Sequence, residues 1–198
     1  MNLKLHLATI WLPSFFVKKE LDRVAEVTVG CLDTLLKKYD SDVLKTISQK
    51  KLVLDGNVAE RRRLMATAHE LRVKALIDAL GYEEAMNIGR NSLFKAGLKL
   101  GREARKQLGV GSSLQELVMA ARVLYKILGI EFEIKQGAEV LMIVNKCCLS
   151  KYYSPETCML LSAADEGVVQ GLNEKINMKF TQRMTEGPSE CLACIYSV

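Results

Sequence analysis

The hydrophobic period of the chain changes at Gly129, and this change limits the possible folds more than any other feature. Upstream, apolar residues recur at spacings of three, four and seven. Downstream, Ile130, Phe132 and Ile134 alternate with Glu131, Glu133 and Lys135. The first pattern is the stripe of an amphipathic helix and the second is a half-buried strand. The expected fold class is therefore α+β: a helical N-terminal two-thirds packed on a small C-terminal antiparallel sheet that is interrupted by one helix.

The helical part divides at its caps. A first long helix is expected from Ser14, acting as cap, to about Tyr39, with Val17, Leu21, Val24, Cys31 and Leu35 on one stripe. A polar piece containing Leu44 and Ile47 follows, then a turn at Asp55-Gly56. Asn57 and Glu60 have capping-box spacing and open a second helix that Gly81 ends. His69 lies four residues from both Met65 and Val73, so it sits on or beside the buried face, as a packed histidine or as a site residue. Tyr82 to Leu108 forms a third helix, in which Gly97 and Gly101 lie one turn apart and let another backbone approach closely. Ser113 and Glu116 open a fourth, which runs to Leu128.

Gln136-Gly137 then turns the first strand into the apolar run Val140 to Val144. Ser154 as cap and Pro155 as first helical residue start a further helix that runs to about Leu172. A third strand carries Ile176, Met178 and Phe180 on one face. Glu186-Gly187-Pro188 leads into a last strand from Cys191 to Val198.

A length of 198 residues suits one domain, with residues 1–55 as a helical extension and 56–198 as the core. The net charge of +5 is mild. Arg61-Arg62-Arg63 falls in a helical pattern near Glu70 and reads as a solvated face, so nucleic acid is not expected as a partner. The apolar start is interrupted or bounded by His6, Pro13 and Lys18 and is too short to span a bilayer. No signal peptide and no membrane partner are expected, so the six cysteines read as reduced thiols of a cytoplasmic protein. The first long helix, or the Gly97/Gly101 face, is expected to form a symmetric homodimer. The competing reading packs that helix on its own chain.

The chemistry is expected between Lys146 and Val198, which holds Cys147, Cys148, Cys158, Cys191 and Cys194. Asp165 falls where the stripe Cys158, Leu161, Val168, Leu172 calls for an apolar side chain. A buried carboxylate is costly unless it is paired or keeps its proton. Asp165 therefore requires a partner, unless the stripe is rotated and the residue is wet. Cys191 and Cys194 lie three apart on a strand and face opposite sides, which argues against a shared ion. Cys191 with Cys147 or Cys148, and with Cys158, leaves a zinc or iron site open. A nucleophilic thiol is the alternative: Cys158, near a helix start, is the candidate, with His69 as a group able to lower a thiol pKa.

The stretch NKCCLSKYYSPETCMLLSAADEGVVQGLNEKINMKFTQRMTEGPSECLACIY resembles the L-2-amino-thiazoline-4-carboxylic acid hydrolase family. So does the segment HELRVKALIDALGYEEAMNIGR, which begins at His69. The matching positions are Cys147 or Cys148, Cys158, Asp165, Thr181, Gly187 and Cys191. The resemblance implies hydrolysis of a C–N bond in a small cyclic amidine-like substrate, with Asp165 and His69 handling protons and Cys158 or Cys191 as nucleophile or metal ligand. The architecture is also similar to vinyl-reductase-type ligand-binding domains, which implies the alternative of a non-enzymatic module for a small hydrophobic ligand or a metal. Phe180 and Arg183 stand where that second group is expected to carry Glu and Cys, which favours the hydrolase-like branch.

Overall fold

A computed structural model describes residues 3–47 and 52–197. Val198, expected at the end of the last strand, lies outside them. The helices are α1 (Leu3–Ile10), α2 (Ser14–Tyr39), α3 (Ser41–Ile47), α4 (Val58–Leu80), α5 (Tyr82–Leu108), α6 (Leu114–Leu128) and α7 (Pro155–Leu172). The strands are β1 (Ile130–Gln136), β2 (Val140–Cys147), β3 (Ile176–Gln182) and β4 (Cys191–Ser197). The fold is α+β, as the change of period at Gly129 predicts.

The four strands form one antiparallel sheet in the order β1-β2-β4-β3. Its inner face carries Phe132, Met142, Val144, Met178, Phe180, Cys191 and Ala193, which join residues of α5, α6 and α7 in the largest apolar cluster. The expected caps form at three helix starts: Asn57 accepts from the Glu60 N–H, Ser113 from Glu116 and Ser154 from Thr157. At the fourth, Pro13 occupies the cap position of α2 without a side-chain hydrogen bond, and Ser14 is the first helical residue. Two short helices, α1 and α3, stand where the sequence suggested only an interrupted apolar start and a polar piece.

Both surfaces considered for a dimer are used inside the chain. Leu21 and Leu32 of α2 are fully buried, and the stripe packs against α4 and α5. Gly97 and Gly101 receive α7: a methyl group at Gly97 would lie 2.0 Å from the Ala164 carbonyl oxygen, and one at Gly101 would lie 2.3 Å from that of Val168. The contact is reciprocal, because a methyl group at Gly167 would meet the Phe94 carbonyl oxygen at 2.1 Å. Arg61 pairs with Asp22, Arg63 with Glu60, and Arg62 donates to the Lys126 and Ile127 carbonyls at the end of α6. The basic run is therefore engaged in structural contacts.

Gly167→Ala is expected to cost about 3 kcal/mol through overpacking against a backbone that cannot yield. Gly30→Ala on α2, where an added methyl meets nothing within 4 Å, is expected to add about 0.5–1 kcal/mol by reducing unfolded-chain freedom. Urea unfolding of the two variants against the parent tests the contrast.

Candidate functional site

A cavity of about 170 Å³, partly open to solvent, lies between the helices and the inner face of the sheet. Its walls are mostly apolar, with Phe16 and Val24 from α2, Met65 from α4, Leu100 and Ala104 from α5, and Val123 and Ile127 from α6. One pole collects polar groups: Cys158, Ser162 and Asp165 from α7, Cys147 from β2, Tyr153, Arg183 and Cys191. Helical spacing sets three of these side by side, because Cys158, Ser162 and Asp165 are four and three residues apart.

Asp165 and Glu166 are adjacent carboxylates with opposite surroundings. Glu166 accepts from Arg90 at 2.9 Å and from the Phe180 N–H at 3.3 Å. This part-buried pair ties α5, α7 and β3 together. Among the described residues, Asp165 makes no hydrogen bond or ion pair. It lies deep in the protein and keeps some accessible surface because it faces the cavity. Burial, and then the charge of Glu166, push its carboxyl up to about 7.

Arg183 does not serve Asp165. Its guanidinium donates to Ser162 Oγ at 3.2 and 3.0 Å, reaches Glu186 at 3.5 Å, and lies over the Phe180 ring. The Ser162 hydroxyl in turn donates to the Met159 carbonyl.

His69 also lines the cavity, but both of its nitrogens are engaged. The Thr28 hydroxyl donates to the Val24 carbonyl at 2.8 Å, so it accepts from His69 Nε2–H at 2.7 Å. His69 Nδ1 then accepts from the Tyr153 hydroxyl at 2.8 Å. Burial, reinforced by the nearby Arg72 charge, lowers His69 to about 3. The ring is neutral at physiological pH and orients Tyr153; it does not carry the mobile proton expected of it from the sequence. Tyr153 gives its proton to His69, and its oxygen keeps lone pairs able to accept.

The cysteines separate. Cys147, Cys158 and Cys191 line the cavity with Asp165, whereas Cys148 packs beside Arg62 and Gly129, and Cys194 lies near Glu139. Burial raises Cys147 to about 12 and Cys158 to about 11. Cys191 is raised too, although it accepts the Met184 N–H at 3.3 Å. These thiols hold their protons at neutral pH. Among the described residues, no group of three or more His, Cys, Asp or Glu side chains is arranged to hold a metal ion. The set left open from sequence for zinc or iron, Cys191 with Cys147 or Cys148 and with Cys158, is thus not assembled: Cys148 stands apart, and the three cysteines on the cavity are not arranged around one ion.

Residues 61–195 match the family described as L-2-amino-thiazoline-4-carboxylic acid hydrolase. The chain belongs to this family. No curated protein matches it. Among solved structures, it is similar to a trafficking protein particle complex subunit 3 from Naegleria fowleri covalently bound to palmitic acid. The two are 14% identical over 69% of this chain and 95% of that one, with a TM-score of 0.51. It is also similar to the phenol-responsive sensory domain of the transcription activator PoxR with phenol, at 14% identity, 75% and 77% coverage and a TM-score of 0.51. At that identity the likeness establishes a shared fold. Among the described residues, no helix is long and apolar enough to cross a membrane.

Sequence reasoning missed Tyr153, Ser162, Arg183 and Thr28 as residues of the candidate site. Ser162 lies one turn from Cys158 on the stripe that singled out Asp165, and that spacing was the available signal. Thr28 and Tyr153 come together only through packing.

The carboxyl shift has a consequence for stability. Below about pH 4, Asp165 is protonated in both the folded and the unfolded chain and costs nothing. As pH rises from about 4 to about 7 the unfolded carboxyl ionises first, so stability falls, and the loss is complete above about 7. Asp165→Asn removes the titration. The variant is expected to match the parent near pH 4 and to exceed it by about 2–4 kcal/mol at pH 8, as read from denaturant unfolding at both pH values.

Proposed function

We propose that the protein is a cytoplasmic hydrolase of a C–N bond in a small cyclic amidine, with Asp165 as the group that holds the cationic C–N unit and moves the proton. One observation carries this reading: a carboxyl without a protein partner, raised to about 7, on the wall of an otherwise apolar cavity. A perturbed carboxyl of this kind is suited to proton transfer near neutral pH. An amidinium has the planar, donor-rich shape that a carboxylate pairs with. The family to which the chain belongs supports the reaction class.

In the proposed reaction, the Asp165 carboxylate takes a proton from water as the water oxygen bonds to the amidine carbon. The C=N electron pair moves to nitrogen. The Asp165 acid so formed returns the proton to the ring nitrogen as the C–N bond breaks and the new C=O forms, and the hydroxyl proton passes through the regenerated carboxylate to the freed amine. Water is preferred to a thiol as nucleophile because Cys147 and Cys158 hold their protons up to about 12 and about 11. Tyr153, oriented by His69, offers an oxygen acceptor to an N–H of the substrate. The apolar walls limit the water that competes for the carboxylate.

A second reading, a non-enzymatic module that binds a small apolar ligand, is favoured by the same protonated thiols, by the neutral His69, and by the phenol-binding sensory domain that shares the fold. Product formation separates the two readings.

Turnover of 2-amino-2-thiazoline and of its 4-carboxylate is the direct test. Asp165→Asn is expected to lower kcat/KM by about 10²- to 10⁴-fold. Cys158→Ser and Cys191→Ser are expected to stay within about tenfold of the parent, and kcat/KM of the parent should rise with pH through about 7. A cysteine variant that loses as much activity as Asp165→Asn would transfer the attack to that thiol. Ligand retained without turnover would leave the binding module.

A further inference from the structure

At the inner, polar pole of the cavity, Arg183 is a buried cation whose charge is poorly matched. Its side chain is 9% exposed and lines the cavity. Nε and Nη2 both donate to Ser162 Oγ, a neutral oxygen, at 3.2 and 3.0 Å. Among the described residues, the carboxylate in reach is that of Glu186, at 3.5 Å and 32% exposed. The other oxygen of that carboxylate accepts the backbone N–H of Arg183 at 3.2 Å. A partner so distant and so wet offsets little of the cost of burying a guanidinium. Arg90, close by, differs, since Glu166 holds it at 2.9 Å. The contacts of Arg183 leave one N–H on each terminal nitrogen without a protein acceptor among the described residues. A carboxylate accepts from such a guanidinium in two parallel bonds.

We propose that Arg183, seated by Ser162, is the anchor for a carboxylate on the ligand, so that the cavity takes a small amidine acid with its carboxylate at Arg183 and its amidinium at Asp165. The inference rests on Asp165 as the amidinium-holding group of the proposed hydrolase site, and it adds a specificity-determining residue to that site. Placement supports it. Ser162 and Asp165 are three residues apart on α7, which puts their Cβ atoms about 5–6 Å apart on one side of the helix. Both line the cavity, as does Arg183. Ser162 gives its own proton to the Met159 carbonyl at 2.8 Å, so it orients the guanidinium and leaves the donating to Arg183. Burial raises Cys158 and Cys191, and the Arg183 charge acts against that rise in both, which sets the guanidinium beside these two thiols on the cavity wall. Charge balance points the same way. An amidine acid brings an anion to Arg183 and a cation to Asp165, whereas a ligand with one charged head leaves the other protein charge as poorly matched as before. The size agrees. A volume of about 170 Å³ compares with cavities of roughly 150 Å³ that hold a benzene ring, so a ligand built on one ring fits.

Isothermal titration of the full chain at pH 8, where Asp165 is ionised, with benzamidine, 3-carboxybenzamidine and 3-carbamoylbenzamidine tests the proposal. The carbamoyl compound has the shape of the acid without its charge. The parent is expected to bind the acid about 10- to 100-fold tighter than the amide, the range for a hydrogen bond to a charged group. Arg183→Gln should bring the two within about threefold by weakening the acid alone. Arg183→Lys keeps the charge and loses the fork, and should retain part of the preference. Asp165→Asn should weaken all three ligands at least tenfold and leave the ratio of acid to amide in place. Equal binding of acid and amide by the parent, or a preference that survives Arg183→Gln, would overturn the Arg183 anchor and leave Asp165 as the amidinium site. Loss of acid and amide together in both Arg183 variants would make Arg183 a structural group and overturn the anchor as well. Binding of all three ligands that does not respond to Asp165→Asn would overturn the hydrolase-site reading and, with it, the two-headed ligand.

Discussion

The backbone contact between α5 and α7 is the constraint on which the rest of the molecule depends. Gly97 and Gly101 on one helix face Gly167 and Gly171 on the other, and any side chain at these positions would enter the partner's carbonyls. Such proximity fixes the rotation of α7 about its axis. With Gly167, Gly171 and Ala164 turned toward α5, the neighbouring stripe of α7 is turned toward the sheet, and that stripe carries Cys158, Ser162, Asp165 and Val168. The position of the carboxyl in the cavity thus follows from where the glycines are. Leu160 packs over Gly89 in the same contact, so the registry is set along the length of α7 as well as around it.

Adjacent carboxylates on α7 divide two tasks. Glu166 is neutralised by Arg90 and accepts the Phe180 N–H, which fastens the helix to β3. Asp165, one residue earlier and about 100° around the helix, has neither. Its unfavourable position is maintained because the glycine contact and the Glu166 anchor over-determine where α7 lies. Stability is given up at one point and supplied at its neighbours, a pattern expected of a binding or reacting site. The charge of Glu166 also contributes to raising Asp165, so the anchor adjusts the site electrostatically as well as positioning it.

Helix and strand types were legible because each long element carries its period, and three helices also their caps, in local sequence. Asn57, Ser113 and Ser154 announce helix starts by side-chain chemistry that acts within four residues. The start of α2 was misread by one residue because Pro13 supplies the favourable backbone angle where a serine side chain was expected. Helices α1 and α3 are too short for a stripe to be distinguished from chance and gain their order from neighbours: Leu5 is buried against the largest cluster, and Val43 and Leu44 pack near Leu36. Asp165 was legible as a defect in an apolar stripe. The role of His69 was not, because it depends on Thr28, 41 residues earlier, and on Tyr153, 84 residues later. Of two adjacent cysteines, only the end of β2 decides which side faces the cavity, and a single residue of strand register reverses that choice.

The family match begins at residue 61 and therefore contains the whole inner pole: Cys147, Tyr153, Cys158, Asp165, Arg183 and Cys191. Helix α2 lies outside it, yet supplies Phe16, Glu20, Arg23, Val24 and Thr28 to the same cavity. The polar pole and the α2 side of the cavity thus come from different parts of the sequence. The surroundings of Asp165 are set inside the matched segment, whereas α2 adds one side of the cavity wall. A substitution in α2 can alter which molecules reach Asp165 without touching the α5–α7 contact that holds it. The hydrogen-bond chain from Thr28 through His69 to Tyr153 is the exception, since it carries the influence of α2 across the cavity to the inner pole.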